Sequence, residues 1–236
     1  MKKTIYKAAS RGHANHGWLD AHHTFSFAGY YDPSRVHFGM LRVLNDDIIA
    51  AGKGFGAHPH DNMEIVTIPL SGAIKHGDNT GNASVISAGD VQIMSAGSGI
   101  VHSEANASAT ESLNLFQIWV FPKVENIQPR YDQRTFSAED RKNKMQVVVS
   151  PDDKDQALWI NQDAWFSLGD FDKGKTLDYK IHLPGNGAFL QVIEGIVEID
   201  GEVLNTRDAI GISGEETIQC SFTADAKILI IEVPMN

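Results

Sequence analysis

Short stretches rich in β-branched and apolar residues fill the first half of the chain, and turn-forming residues separate them every few positions. This pattern is typical of antiparallel strands joined by hairpins. Strands are predicted near residues 4–8, 37–44, 48–51, 56–60, 63–70, 73–76, 83–87, 90–94, 100–106 and 112–121. Residues 12–23 are predicted to form a Gly- and His-rich loop. Asn45 to Asp47 are predicted to form a turn, because short polar side chains favour turns.

Helical patterns are few. Ser137 to Asp140 has the form of a capping box and predicts a short helix. The segment 122–137 contains two prolines and no clear periodicity. We therefore place a domain boundary in it and divide the chain into residues 1–130 and 131–236. The pattern as a whole predicts an all-β protein of two antiparallel sandwich or barrel units with few short helices.

Two pairs of potential metal ligands have the spacing of a strand: His58 with His60, and His102 with Glu104. Alternate side chains of a strand point to the same face, so each pair aims two ligand atoms in one direction, ~6.6 Å apart at the backbone. The predicted hairpins between the pairs bring them side by side, so that four ligands converge. Mixed imidazole and carboxylate sets suit first-row transition metals, and zinc, iron, copper, nickel, cobalt and manganese all remain open. The absence of thiolate ligands argues against a closed structural zinc site.

The second half of the chain has features that repeat the first. Gly72 and Gly195 each lie in a predicted hairpin turn between apolar strands. Asp90 and Asp208 each precede a further strand. We therefore predict that the C-terminal half has the same topology as the N-terminal half.

The predicted repeat lacks the metal ligands. Aligned on these turns, the four ligand positions of the second half hold non-ligating or weakly ligating residues, namely Ile181, Leu183, Cys220 and Phe222. A slip of one residue in this alignment would bring His182 inward instead. We therefore expect an ordinary packed barrel there, with Cys220 buried and unreactive on an inward face.

The amino-acid composition argues against some classes of binding partner. The 236 residues carry a formal net charge of -10, with a pI near 5.4 and no cluster of Lys and Arg, which argues against nucleic acid or an anionic membrane as a direct partner. The N-terminus lacks the apolar run of a signal peptide, and no segment approaches the ~20 apolar residues of a membrane span. We expect a cytoplasmic protein. The single cysteine excludes an intrachain disulfide.

The ligand pairs lie within longer motifs that resemble a known superfamily. The run from Gly52 through the His-x-His pair to Glu64 resembles the first motif of the cupins, and the stretch from Gly89 to His102 resembles the second. Two departures are informative: Gly72 closes the first motif one place late, and Ser95 stands where the pattern has Pro.

The departures and the runs His-Pro-His and Gly-Ile-Val-His-Ser-Glu resemble the pirin branch of the cupins, and within it the bacterial flavonol-cleaving subgroup. The similarity covers roughly residues 5–135. The resemblance implies a bicupin of two packed double-stranded β-helix domains, with the metal in the N-terminal domain and a degenerate C-terminal domain without metal. It also implies one non-haem ferrous ion per chain, with other divalent metals accommodated.

The resemblance assigns the metal ligands as His58, His60, His102 and Glu104. In most cupins the Glu at the position of Glu64 is a ligand, whereas in pirins the Glu that follows the third His replaces it. We follow the pirin pattern and expect Glu104 on the metal. Whether Glu64 contributes stays open from the sequence.

The resemblance implies a quercetin 2,3-dioxygenase that opens the heterocyclic ring of a flavonol with O₂ and releases carbon monoxide, with Glu104 as general base for the flavonol hydroxyl. An alternative is a metal- or redox-responsive regulator that acts through a protein partner. A third interpretation is a cupin whose metal mainly stabilises the fold.

The remaining histidines are expected in loops or on the surface, with His22 and His23 as candidates for the rim of the pocket. One or two aromatic residues are expected to line an apolar cavity around the metal. The candidates are Phe25, Phe27, Phe38, Phe55, Phe116, Trp119 and Phe121.

Overall fold

The computed structural model describes residues 2–236 and is built almost entirely of antiparallel strands. The strands of the first half are β1 (Lys2–Tyr6), β2 (Gly12–Asn15), β3 (Leu19–His23), β4 (Leu41–Ile49), β5 (Gly54–His60), β6 (Glu64–Ser71), β7 (Ala73–Asp78), β8 (Ala83–Ser87), β9 (Asp90–Ser95), β10 (Ile100–Asn106), β11 (Leu113–Val120) and β12 (Arg130–Thr135). Those of the second half are β13 (Met145–Ser150), β14 (Leu158–Trp159), β15 (Trp165–Phe171), β16 (Thr176–Lys180), β17 (Asn186–Glu194), β18 (Ile196–Ile199), β19 (Glu202–Asn205), β20 (Ala209–Ser213), β21 (Thr217–Phe222) and β22 (Ala226–Pro234).

Each half contains one seven-stranded and one four-stranded sheet, with the orders β12-β9-β6-β11-β4-β3-β2 and β5-β10-β7-β8 in the first half. The second half has the orders β1-β20-β17-β22-β15-β13-β14 and β16-β21-β18-β19. The predicted all-β bicupin fold is therefore confirmed. The first strand of the chain crosses to the other half, because β1 joins the large sheet of the second half. The division near residue 130 stays a prediction.

In the part of the chain that the structure describes, helical structure is limited to three 3-10 turns, Ala8–Ser10, Ala138–Arg141 and Asp153–Asp155. The second of these is the helix predicted from the capping box, and the Ser137 side chain accepts a hydrogen bond from the backbone N–H of Glu139. Within residues 2–236 no helix is long and apolar enough to cross a membrane.

The two halves share a core. Its largest cluster of buried apolar side chains draws on both seven-stranded sheets, with Phe116 and Ile118 of β11 beside Phe189 of β17 and Phe166 of β15. Alternate residues of β11 point the other way, into the N-terminal barrel, where Leu113 and Leu115 belong to a separate apolar cluster. One face of each large sheet therefore holds the halves together, and the other lines a barrel.

Two local predictions were wrong. Residues 12–23 form the β2–β3 hairpin instead of a loop, and β4 runs without a break through Asn45 to Asp47 instead of turning there. These three polar residues are 3%, 7% and 6% exposed. Two of them have side-chain partners: the Asn45 amide oxygen lies 2.9 Å from the His23 ring, and Asp46 pairs with Arg11 at 3.0 Å. Tertiary partners of this kind override a local turn propensity.

The predicted repeat of topology is present. Gly72 lies in the turn between β6 and β7 with φ 77°, and Gly195 lies in the turn between β17 and β18 with φ 90°. At Gly195 a side chain is excluded on steric grounds as well, because a Cβ atom would lie 2.0 Å from the Asp225 carbonyl oxygen.

Strand pairing identifies the counterparts of the histidine ligands. β10 pairs with β5 so that His102 lies opposite His58. In the second half β21 pairs with β16, and Cys220 lies opposite Leu177. With Cys220 taken as the counterpart of His102, as in the sequence alignment, Leu177 and Tyr179 stand in the places of the His-x-His pair. Tyr179 is buried, and its hydroxyl donates to a carboxylate oxygen of Glu232 at 3.0 Å.

The sequence alignment put Ile181 and Leu183 in these places, and this was wrong, because both lie in the connection that follows β16. The connection between β16 and β17 spans residues 181–185, whereas that between β5 and β6 spans residues 61–63. The strand that follows it, β17, has nine residues, whereas β6 has eight. Leu183 lies at the surface, 39% exposed. The expected loss of metal ligands in the second barrel is unaffected, since Leu177 cannot bind a metal and the Tyr179 hydroxyl is engaged.

We predict that Cys220 reacts slowly with thiol reagents in the native protein. Its side chain is 2% exposed among Ile218 and Phe222, and this burial raises the pKa of its thiol to about 12, so that almost no thiolate is present at neutral pH. Labelling by a chromogenic disulfide should be slow in buffer and complete in denaturant. Rapid labelling of native protein at neutral pH would contradict this packing.

Candidate metal centre

Three imidazoles meet at the pairing of β5 with β10. His58 lies directly opposite His102, and His60 lies opposite Ile100. The ring centroids of His58 and His102 are 4.4 Å apart, and each lies 4.9 Å from the ring of His60. One nitrogen from each ring falls within 4.8 Å of the other two. The strand spacing thus brings the first three predicted ligands together, as expected.

Glu104 lies beside this group. The register of β5 and β10 shifts between His102 and Glu104, so that Glu104 lies opposite Phe55. Its carboxylate falls within 4.8 Å of nitrogens of His102 and His76, in a group separate from that of the three imidazoles. Gln117 on β11 donates from Nε2 to one carboxylate oxygen at 2.9 Å. Burial raises the pKa of Glu104, and the Gln117 hydrogen bond opposes that rise.

The hydrogen bonding and the burial of the three imidazoles favour the binding of a metal cation. The Nδ1 atom of His58 lies 2.8 Å from the carbonyl oxygen of Gly56, which only accepts, so Nδ1 carries the proton and Nε2 is left with a free lone pair. Burial, followed by the neighbouring histidines, lowers the pKa of His60 to about 4 and that of His102 to about 3. These two rings are therefore neutral at pH 7, the form that binds metals.

The surroundings of His102 give the strongest structural indication that this site binds a metal ion. Its side chain is 2% exposed, and both ring nitrogens are buried without a hydrogen-bond partner among the described residues. A buried polar atom without a partner costs roughly 1–3 kcal/mol. A divalent transition metal bound by the three imidazoles would remove that cost for one nitrogen, so the residues present fit the metal implied by the sequence motifs.

Glu64, the ligand in the alternative cupin pattern, is directed away from this centre. It is fully buried on β6, where one carboxylate oxygen accepts from the Ser95 hydroxyl at 2.8 Å and from the backbone N–H of Asn161 at 3.1 Å. Asn161 belongs to the second half of the chain. Glu64 therefore links the two halves, and it does not line the cavity at the metal centre.

A cavity of about 450 Å³ opens onto the metal centre. Four aromatic residues line it, namely Trp18, Phe27, Phe55 and Trp119. Trp18 meets Phe55 edge to face at 5.1 Å, and Trp119 meets His60 in the same way at 4.9 Å. Three of these rings are among the predicted candidates, whereas Trp18 was missed because its segment was predicted to be a loop.

Polar residues that sequence reasoning missed line or support the site. Asn45 and Asp47 of β4, together with Gln117, face the cavity. His76 is 4% exposed, its Nε2 lies 3.0 Å from a carboxylate oxygen of Asp78, and its ring lies 5.3 Å from that of His102. The i, i+2 spacing of this His-x-Asp pair on β7 is the same pattern that marked the ligands, and it would have identified His76.

The two histidines predicted at the pocket rim differ in position relative to the cavity. His23 is buried and hydrogen bonded to Asn45, whose side chain lines the cavity. His22 is turned outward and stacks on His13, with ring centroids 4.6 Å apart. Only His23 thus contacts the wall of the cavity.

Comparison with known families matches both halves of the chain. A family model described as Pirin matches residues 5–120. A second, described as Quercetinase C-terminal cupin domain, matches residues 147–233.

Close relatives match over nearly the full length. The chain is 46% identical over 236 residues to a quercetin 2,3-dioxygenase from Escherichia coli, covering 98% of each chain. It is 44% identical over 223 residues to a pirin-like protein from Caulobacter vibrioides, covering 94% of this chain and 95% of the relative. The crystal structure of the bacterial pirin YhhW from Escherichia coli in complex with nickel(II) superimposes with a TM-score of 0.94, at 44% identity and with complete coverage of both chains.

We predict one divalent transition metal per chain, bound in the N-terminal barrel. Elemental analysis after dialysis should give a stoichiometry near one. A variant with His58→Ala and His102→Ala should lose the metal, because only one of the three imidazoles remains. His16→Ala, which removes an exposed imidazole, is the matched control and should keep the metal. A stoichiometry near two, or metal retained by the double variant, would contradict the assignment.

Proposed function

We propose that this chain, which belongs to the pirin family of the cupin superfamily, is a metal-dependent dioxygenase that opens the heterocyclic ring of a flavonol with O₂ and releases carbon monoxide. The proposal rests on one observation above all: three imidazoles and a buried carboxylate lie together at an aromatic cavity. The names of the relatives support a cupin metalloenzyme of oxidoreductase type.

In this proposal His58, His60 and His102 hold a single divalent transition metal, with Glu104 as the fourth ligand. The bound metal would supply Lewis acidity toward the flavonol oxygens and a centre for O₂ chemistry. The family resemblance favours iron, and the nickel complex of the Escherichia coli relative supports a site that accepts other divalent ions.

The cavity suits a flat aromatic substrate. Its volume of about 450 Å³ lies within the ~300–1,000 Å³ of typical ligand pockets. Two pairs of touching rings, Trp18 with Phe55 and Phe27 with Trp119, offer ring faces and edges to the fused rings of a flavonol. The same rings exclude water from the substrate, which strengthens the electrostatic interactions inside the site.

Glu104 is the group placed to take the proton of the flavonol 3-hydroxyl. Burial raises its pKa, and a more basic carboxylate accepts a phenolic proton more readily than an exposed one. The Nε2–H of Gln117 holds one carboxylate oxygen, which fixes the orientation of the group and leaves the other oxygen for the proton or the metal. Thr67 in turn donates to the Gln117 amide oxygen at 3.0 Å and sets the amide with its nitrogen toward Glu104.

We predict that Glu104→Gln lowers flavonol turnover by ~10²–10⁴-fold, because an amide cannot accept the proton of the substrate. Metal content should fall much less, since the three imidazoles remain. Turnover is measured as O₂ uptake and loss of quercetin absorbance, per bound metal.

Glu64→Gln is the matched control, because Glu64 is equally buried but faces the other half of the chain. It should keep turnover per metal. Wild-type activity in Glu104→Gln would exclude Glu104 as the base. If the wild-type protein consumes no O₂ with any flavonol under any first-row metal, the regulatory alternative replaces the proposal.

A further inference from the structure

Asp47 is a buried carboxylic acid without a partner. It lies on β4, lines the cavity at the metal centre, and is 6% exposed. Its Oδ1 atom is buried and receives no hydrogen bond from any described residue. The backbone carbonyl of Asp47 is satisfied by the Asn114 side chain at 3.1 Å, so the strand itself is well paired and only the carboxyl group is not.

The neighbours of Asp47 in the sheet cannot supply a hydrogen bond. Leu115 lies opposite it on β11, and Ala21 lies opposite it on β3. Both belong to the apolar cluster inside the N-terminal barrel, together with Ile49, the next inward residue of β4. Asp47 therefore lies at the border between this apolar floor and the polar residues nearer the metal centre.

The adjacent Asp46 provides the contrast. It points to the opposite face of β4, where one oxygen accepts from Arg11 at 3.0 Å and the other accepts from Asn114 at 2.9 Å. Arg207 from the second half lies 3.4 Å from the same carboxylate. Asp46 thus has partners for both of its carboxylate oxygens, whereas the Oδ1 atom of Asp47 has none among the described residues.

The surroundings of Asp47 make its isolation costly. The charges closest to it are those of Asp46 and Glu104, which have the same sign. Burial, followed by these two carboxylates, raises its pKa to about 7. An unpaired polar group in a cavity is stabilised when a ligand brings the missing hydrogen-bond partner.

We propose that Asp47 is a substrate-binding residue, whose carboxyl group hydrogen bonds a phenolic hydroxyl of the substrate at the apolar end of the cavity. The hydroxyl is a second one, remote from the hydroxyl that meets the metal and Glu104. The inference rests on the proposed function for the identity of the substrate. It adds a substrate preference to that function. The protein should bind flavonols that carry a hydroxyl on the ring directed toward Leu115 and Ala21 more tightly than flavonols that lack this hydroxyl.

The test measures binding, so that it does not depend on turnover. Zinc-loaded protein, which has no redox chemistry, is titrated without O₂ with quercetin and with analogues that each lack one hydroxyl. Quenching of tryptophan fluorescence reports binding, because Trp18 and Trp119 line the cavity. The proteins compared are the wild type, Asp47→Ala and Asp47→Asn, each checked for metal content.

The effect of substituting Asp47 on binding should depend on one hydroxyl of the flavonol only. Asp47→Ala should weaken quercetin binding by about 10–100-fold, as expected for a hydrogen bond to a charged group. The same substitution should leave unchanged the binding of the one analogue that lacks the partner hydroxyl. Asp47→Asn keeps the shape of the side chain and covers the case in which the Ala variant does not fold. It should show a smaller loss confined to the same hydroxyl.

Equal weakening for all analogues would mean that Asp47 only supports the fold, and no weakening for any of them would mean that it does not contact the ligand. Either result overturns the inference. Failure of the proposed function has a different signature: iron- or nickel-loaded wild type would consume no O₂ with quercetin, even if the coupling between Asp47 and one hydroxyl were present in the zinc-loaded protein.

Discussion

The register of β5 against β10 is the constraint on which the site depends. It sets His58 opposite His102, while the alternation along β5 brings His60 to the same side. The irregularity that follows His102 then displaces Glu104 toward His76 and Gln117. A slip of one residue in this pairing would turn the histidines away from the cavity, because side chains alternate between the two faces of a strand. The chemistry of the site is therefore a consequence of backbone pairing.

The N-terminal barrel separates its interior into layers. Leu113, Leu115 and their neighbours form an apolar floor, and the aromatic rings of Trp18 and Trp119 line the cavity wall. Between them the strands of the large sheet contribute polar residues such as Gln117, which orients Glu104. The opposite face of that sheet is packed against the second barrel, and this contact fixes the scaffold. A site built on strands that are packed on both faces holds its side chains rigidly.

The features of the site that depend on the local spacing of residues were predicted from the sequence. Strand alternation was enough to pair His58 with His60 and to bring both toward His102. It was not enough for Asp47, because short polar residues in a row have the composition of a turn, and only partners distant in the chain, such as Arg11 for Asp46, keep β4 extended through them. The shift that separates Glu104 from the three-imidazole group likewise depends on pairing between strands. The error in the alignment of the repeat reflects a longer connection after β16.

In the proposed function, the metal centre and its aromatic cavity together act as a dioxygenase. The most direct test is to measure carbon monoxide release and O₂ uptake together while metal-loaded protein acts on quercetin. We expect one molecule of carbon monoxide to be released for each molecule of O₂ consumed. Both processes should stop when a chelator removes the metal, and both should resume when the metal is added back. Loss of quercetin without carbon monoxide, or at the same rate in the metal-free protein, would contradict the account.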